Sequence, residues 1–151
     1  AALRDRAFEA APASGGTIDG QAFEWIADAD PRLGPVLEVV LEGRYYWIPF
    51  AAIREIRIEK PVDLRDAVWA PANFVWTNQG KAVGFIPTRY AGTASQKDSS
   101  ARLARRTDWA DLGQGFFAGT GQRVLATDQG EHPLLAVRQI VLDNAPAAPA
   151  A

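Results

Sequence analysis

The chain has 151 residues, and its 16 Lys and Arg residues against 18 Asp and Glu residues give a formal net charge of −2. Hydrophobic residues make up 48% and charged residues 23%, which is ordinary for a globular domain. The absence of cysteine excludes disulfides, thiolate nucleophiles and cysteine-ligated zinc. No stretch approaches the ~20 consecutive apolar residues of a membrane-spanning helix, and the charge balance gives no overall attraction to nucleic acid or membrane.

The two ends of the chain differ from its middle. Residues 2–10 predict a short helix, because Leu3, Ala7 and Phe8 fall on one side of it. Residues 144–151 consist mainly of Ala and Pro and predict a disordered tail. The start of the chain carries no secretory signal pattern, so we expect a cytoplasmic protein.

Between these ends the sequence indicates a series of short strands. Apolar runs recur about every 8–12 residues and are separated by turn residues. The predicted strands cover residues 23–27, 36–41, 44–48, 55–59, 68–69, 72–77, 82–86, 103–109, 115–127 and 134–142. No helix long enough for a parallel crossover lies between them. We therefore predict a mostly β fold, α+β only at its margins: a single small antiparallel domain, a partly open barrel or sandwich with short helical turns.

Two helical turns are predicted within this β-rich region. Residues 50–53 follow a proline that ends the preceding strand, and they favour a single helical turn. Residues 62–66 predict a second one-turn helix, with Asp63 as its N-cap.

The segment 44–48 has an unusual pattern, because both of its faces are apolar. Tyr45 and Trp47 share one face, and Tyr46 and Ile48 share the other. A central strand covered on both sides is the favoured explanation, and a partner-binding face is the alternative. The chain also has five tryptophans, most of which we expect in the core, because aromatic side chains bury large areas.

The residues offer little support for catalysis. The single histidine, His132, has no serine in a nucleophile-elbow motif to act on, and one histidine without cysteine is too few ligands for zinc. Asp28 and Asp30 could form the carboxylate pair of an enzyme acting on a small molecule or carbohydrate. A turn with an Asx-type hydrogen bond before Pro31 is the simpler interpretation. We therefore predict no catalytic, metal-binding or cofactor-binding residues.

A small basic cluster raises a third hypothesis, binding of nucleic acid or phosphate. Arg102, Arg105 and Arg106 lie close together in the sequence. Asp108 and Asp111 follow directly and weaken this hypothesis, since acidic neighbours oppose phosphate binding.

Six segments, in this order and spacing, resemble one known family. They are WIADADPRLGP at 25–35, GRYYWIPF at 43–50, DLRD at 63–66, IPTRY at 86–90, RRTDW at 105–109 and GQR at 121–123. Together they are similar to the C-terminal domain of the ImpE family, also called TagJ or SciE, an accessory protein of bacterial type VI secretion systems.

The resemblance implies both an organisation and a role. Family members carry a TPR-like helical domain ahead of this region, so residues 1–18 would be the last helix and linker of that domain, and 19–143 the ImpE-type domain. The implied function is a non-enzymatic accessory or scaffold domain without a cofactor. Its implied partner is a TssB-type sheath subunit, with an indirect link to sheath recycling by the ClpV unfoldase.

Five residues in or near these motifs are candidates for partner binding, since Arg forms planar bidentate contacts and Tyr and Trp supply rigid contact area. The candidates are Arg44, Tyr46, Arg89, Arg105 and Trp109. The alternative, which we favour for most motif residues, is that they hold the domain together. In that case arginines of the motifs pair with their aspartates, as Arg32, Arg65 or Arg89 with Asp28, Asp30 or Asp66.

Overall fold

An eight-stranded antiparallel sheet is the largest element of the structure, a computed structural model that describes residues 13–93, 99–113 and 116–145. The strands of the chain are β1 (Gly16–Ile18), β2 (Gln21–Phe23), β3 (Ile26–Asp28), β4 (Val36–Leu41), β5 (Arg44–Pro49), β6 (Ile53–Ile58), β7 (Trp69–Trp76), β8 (Lys81–Pro87), β9 (Thr107–Gly113), β10 (Phe116–Gly121), β11 (Val124–Thr127), β12 (Gly130–Pro133) and β13 (Gln139–Leu142). The large sheet has the order β2-β1-β13-β6-β7-β8-β4-β5.

Two smaller sheets complete the β structure of the described residues. Strands β12, β11 and β3 form one of them, and β9 and β10 form a two-stranded ribbon. The helical elements with described bounds are α1 (Ser99–Arg102) and the 3-10 turns at Phe50–Ala52 and Leu134–Ala136. None of these described helices is long and apolar enough to cross a membrane. The prediction of a mostly β, antiparallel domain is confirmed, and its described sheets do not close into a barrel.

The core lies against one face of the large sheet. Alternation of side chains along each strand sends Leu37 and Val39 of β4 and Ile56 of β6 to that face, where they are fully buried. Ile26 of β3 and Leu125 of β11 belong to the same cluster. The three-stranded sheet therefore packs over the buried face of the large one.

Strands β4 and β8 approach each other closely where Val40 pairs with Phe85. Gly84 makes this approach possible, because a Cβ at that position would lie 2.4 Å from the carbonyl oxygen of Val40. Any larger residue would push the two strands apart, and the sheet would lose continuity between its central part and the β4–β5 hairpin.

Several predicted boundaries are wrong in the second half of the chain. The predicted strand 103–109 begins only at Thr107, since α1 and the turn that follows it come first. The predicted strand 115–127 is two strands, because Gly121 has a φ of 89° and turns the chain between them. The predicted strand 134–142 starts with a 3-10 turn, and β13 begins at Gln139.

The predicted helical turns have different outcomes. The turn at 50–53 is confirmed as the 3-10 turn Phe50–Ala52. At 62–66 the chain forms turns rather than a helix, although the Asp63 carboxylate accepts hydrogen bonds from the Arg65 and Asp66 amides as an N-cap would. The helix predicted at 2–10 and residues 146–151 of the predicted tail lie outside the described residues.

Strand β5 lies at an edge of the large sheet, so the prediction of a central strand is wrong. Within the described part of the chain its one strand neighbour is β4, and residues 44–47 are all exposed. The expectation of buried tryptophans is also wrong, since none of the five belongs to the buried core. An apolar pattern on both faces of a strand does not distinguish burial between two layers from exposure at an edge.

Candidate functional site

A buried ionic cluster lies where the three-stranded sheet meets the large sheet. Its centre is Arg123, whose side chain is 0% exposed. The guanidinium donates from Nη1 to Asp28 Oδ2 at 2.6 Å and from Nη2 to Glu38 Oε1 at 2.7 Å. Tyr90 stands beside them and donates from its hydroxyl to Asp28 Oδ1 at 2.7 Å. We call these four residues the Arg123 cluster.

In the Arg123 cluster a single guanidinium lies between two carboxylates, those of Asp28 and Glu38. Burial opposes the charge on Arg123, but the carboxylates of Asp28 and Glu38 hold its pKa above the ordinary value. Burial raises the pKa of Asp28, and the guanidinium and the hydrogen bonds to its carboxylate act against that rise. The ring of Tyr90 adds a cation–π contact, with Arg123 Cζ 5.1 Å from the ring centroid.

Arg123 also joins two strands of the large sheet. Continuing the Val40–Phe85 register by two residues would place Glu38 opposite Pro87. At that position the guanidinium spans the two strands, because its Nε donates to the Pro87 carbonyl at 2.9 Å while Nη2 holds Glu38. The side chain of Arg123, the residue just before β11, therefore links these two strands at this point.

The Arg123 cluster extends to the protein surface through Glu38. The second carboxylate oxygen of Glu38 accepts a short hydrogen bond from the Tyr45 hydroxyl. The same hydroxyl accepts a hydrogen bond from Trp47 Nε1 at 2.6 Å. Burial and the bond to Glu38 raise the pKa of Tyr45, so its hydroxyl stays protonated and remains a donor. Two exposed aromatic side chains are thus held in place by a network that begins in the core.

These two side chains belong to a larger apolar surface on the large sheet. Directly paired residues of an antiparallel sheet point to the same face, and the pairs Tyr45–Val40, Val40–Phe85 and Phe85–Pro71 run across four strands. Exposed apolar residues on the same face surround this row. We call the exposed set the aromatic face: Tyr45, Trp47, Trp69, Val83 and Phe85.

A second ionic pair ties β10 to the turn after β3. The Asp30 carboxylate is buried, and it accepts hydrogen bonds from Arg32, including one from Nη2 at 2.5 Å, and from the Gly119 amide at 2.9 Å. The Asp30 amide donates to Asp28 Oδ1 at 2.8 Å, which is the predicted Asx-type hydrogen bond. Arg32 with Asp30 is also one of the internal pairs that the sequence suggested. Arg65 and Arg89 form no such pair in the described contacts.

The carboxylates of Asp28 and Asp30 make a poor reactive pair. Each already accepts several hydrogen bonds from its own chain, and no buried side-chain polar atom among the described residues lacks a partner. An open depression of about 780 Å³ on the large sheet is lined by Glu55, Arg57 and Asn73, and by neither aspartate. The described residues also contain no group of three potential metal ligands. The contacts of this pair are those of a structural element.

The five candidate binding residues lie in two parts of the structure. Arg44 and Tyr46 are exposed on β5, on the opposite face from Tyr45 and Trp47. The other three lie around β9, β10 and α1. There Arg89 Nη1 donates to the Arg102 carbonyl at 3.0 Å, Arg105 is exposed after α1, and the Trp109 ring lies 5.8 Å from that of Tyr90. Their role in binding stays a prediction.

Sequence reasoning missed Arg123 as a key residue. The triplet Gly121-Gln122-Arg123 was among the family-like segments, but no local pattern marked its arginine as buried. Its partner Asp28 is 95 positions away, and only the fold brings them together. The five-residue aromatic face was missed for the same reason, since it combines side chains from three strands, β5, β7 and β8.

The fold and these contacts define a β-sheet domain with an ionic centre, an exposed aromatic face and no assembled reactive site among its described residues. The chain belongs to the ImpE protein family, whose model matches residues 20–141. It is 48% identical over 139 residues to the type VI secretion system accessory component TagJ of Pseudomonas aeruginosa. That match covers 92% of this chain and 48% of the relative, so the chain spans about half the length of the curated relative.

A solved structure shares the fold. The crystal structure of protein VPA1032 from Vibrio parahaemolyticus superposes with a TM-score of 0.85 at 23% sequence identity. The superposition covers 93% of this chain and 53% of that one. Both comparisons therefore place this domain within proteins about twice its length.

Proposed function

We infer that this domain is a non-catalytic docking module of a type VI secretion accessory protein, acting in the cytoplasm. Its proposed partner is a TssB-type subunit of the contractile sheath, with an indirect link to sheath recycling by the ClpV unfoldase. Membership of the ImpE family and the similarity to the accessory component TagJ support the class of function. Nucleic acid and membranes are not proposed as partners.

The observation that carries this proposal is the aromatic face. Large exposed apolar patches on soluble proteins commonly mark interaction sites, and Trp and Tyr dominate the energetics of interfaces. The hydrogen bonds that the Tyr45 hydroxyl donates to Glu38 and accepts from Trp47 fix two of these side chains before any partner arrives. Such preorganisation lowers the entropic cost of association.

The five residues predicted from the family-like segments extend this proposal. Arg44 and Tyr46 lie on the same strand as two members of the aromatic face, and their exposed side chains can contact a partner at the sheet edge. Arg89, Arg105 and Trp109 would form a separate contact region near β9 and β10. In this proposal Arg side chains bind acidic groups of the partner.

A binding measurement with matched variants tests the proposal. Purified sheath subunit is titrated against the chain and against its Phe85→Ser and Trp25→Ser variants. Phe85 lies on the aromatic face and is 42% exposed, while Trp25 lies between β2 and β3, outside both proposed contact regions, and is 39% exposed. We expect Phe85→Ser to weaken binding about tenfold or more, as for a hot-spot residue, and Trp25→Ser to leave it unchanged.

Two results would contradict the proposal. Equal binding by both variants would remove the aromatic face from the interaction. Binding by the full-length TagJ relative, without binding by this chain, would place the partner surface outside this domain.

A further inference from the structure

We propose that strand β5 is a self-association edge, at which two copies of this chain join their large sheets around a two-fold axis at Tyr46. The proposal does not rest on sheath binding, although Tyr46 is a candidate contact in both, and it follows from the geometry of the edge. The two edges of the large sheet differ: β2 has three residues, whereas β5 has six. Short edges and edge charges prevent strand addition, and β5 has neither feature along Tyr45, Tyr46 and Trp47.

The hairpin determines which backbone groups of β5 point outward. Glu42 and Gly43 have φ values of 50° and 76°, which fit the two-residue type I′ turn that closes on the pair Leu41–Arg44. In such a hairpin the closing pair is hydrogen-bonded, and the pattern then alternates along the strand. Tyr45 and Trp47 therefore direct their N–H and C=O groups away from β4.

These outward groups are complementary to those of a second copy. When Tyr46 of one copy lies opposite Tyr46 of the other, Tyr45 of each lies opposite Trp47 of the other. Both members of this pair have outward backbone groups, so the two pairs can exchange four hydrogen bonds. Pro49 has no N–H and limits the pairing to the middle of the strand.

The side chains support the same register. Tyr45 and Trp47 of the two copies would meet on one face, where aromatic cross-strand pairs are favourable. The bonds to Glu38 and between Tyr45 and Trp47 already fix these side chains at the edge. The aromatic faces of the two copies would then form one continuous surface.

The available area sets the strength of this association. Tyr45, Tyr46 and Trp47 are 56%, 40% and 57% exposed. Since a wholly covered aromatic side chain removes about 150–250 Å² from solvent, these three could bury about 600 Å² over two copies. Backbone and flanking side chains add to this sum, but the total stays near the lower limit for specific interfaces. We therefore expect dimers at micromolar concentrations and above rather than at nanomolar ones.

Cysteine cross-linking tests the register, because the natural chain contains no cysteine. In the proposed register the two Tyr46 residues form a non-hydrogen-bonded pair. The Cα atoms of such a pair are ~4.5 Å apart, a distance that a disulfide can span. The Tyr46→Cys variant should therefore oxidise to a covalent dimer. The matched control is Tyr45→Cys on the same strand, whose two copies would be diagonal neighbours about 7–8 Å apart. We expect cross-linking at least about tenfold faster for Tyr46→Cys.

A charge exchange gives a second readout by analytical ultracentrifugation. Tyr46→Lys and Tyr46→Glu should each be monomeric, because like charges would face each other at the axis. An equimolar mixture of the two should recover dimers. If the wild-type chain stayed monomeric at several hundred micromolar, the proposal would be overturned, and β5 would not be a site of self-association. Dimers that persist in Tyr46→Lys, or faster cross-linking at position 45, would also overturn it.

Discussion

Replacing Arg123 by Met should destabilise the domain strongly. The side chain donates to Asp28, Glu38 and the Pro87 carbonyl, and it is wholly buried. A methionine side chain fills a similar space but donates no hydrogen bonds. The Asp28 carboxylate would remain buried without its counter-charge, and breaking a buried pair in this way costs about 3–5 kcal/mol.

The loss can be measured by urea denaturation followed by tryptophan fluorescence. A change of 3 kcal/mol is about a hundredfold in the unfolding equilibrium, since 1.36 kcal/mol is about tenfold. For a domain of this size it corresponds to a fall in Tm of about 6–12 °C. The control is Arg106→Met, because Arg106 pairs with Asp108 at 3.0 Å on the surface and such exposed pairs contribute about 0–1 kcal/mol.

A double-mutant cycle separates the charge from the shape of the side chain. In an Asp28→Asn background the neutral amide needs no counter-charge, so Arg123→Met should cost at least about 1 kcal/mol less than in the wild-type chain. Equal losses for Arg123→Met and Arg106→Met, or strict additivity in the cycle, would refute the assignment of Arg123 as the ionic centre.

Three further substitutions test the neighbouring contacts. Gly119→Ala should lower the free energy of unfolding by about 1–3 kcal/mol in thermal melts, because a Cβ would lie 2.4 Å from the Tyr90 ring; an unchanged Tm would contradict this. Tyr90→Phe should cost about 1–3 kcal/mol in urea titrations by removing the hydroxyl donor to Asp28, and a loss below about 0.5 kcal/mol would contradict that role. Burial raises the pKa of Asp30, but hydrogen bonds from Arg32 and the Gly119 amide outweigh it and hold the pKa below its ordinary value of 3.8. The stabilisation is therefore complete above that ordinary value and is lost as the pH falls through the folded-state pKa, so Asp30→Asn should weaken the acid dependence of stability below about pH 4. The free energy of unfolding of the wild-type chain and of Asp30→Asn is measured by urea titration at several pH values. If both fell equally with decreasing pH, the Asp30–Arg32 pair would not be a source of the acid dependence.

Local patterns account for the parts of the fold that could be predicted. The β4–β5 hairpin follows from two apolar runs around Glu42-Gly43, and the structure gives both residues the positive φ that such a turn requires. The Asx-type bond between Asp28 and the Asp30 amide follows from residues two positions apart. The alternating burial of β6 likewise follows from the sequence itself.

The remaining features depend on neighbours that a local pattern does not specify. Arg123 would look like an ordinary exposed strand residue until the fold places Asp28 and Glu38 beside it. Tyr45 and Trp47 lie at an edge because β5 has no further described strand beside it, which no feature of residues 44–48 encodes. Gly121 could be recognised as a glycine, but only the fold shows that it divides a predicted strand in two.

The pairing of β1 with β13 has a consequence for how the domain responds to force. Strands β1 and β13 are the first and the last strands of the large sheet along the chain, and they are antiparallel neighbours. Gly16, at the start of β1, pairs with Leu142, at the end of β13. Tension applied through the chain on both sides of the domain would break the hydrogen bonds between these two strands one after another, starting from the Gly16–Leu142 pair. The domain should therefore open at low pulling force from its ends, whatever its thermodynamic stability, because forced unfolding follows the barrier along the direction of pulling.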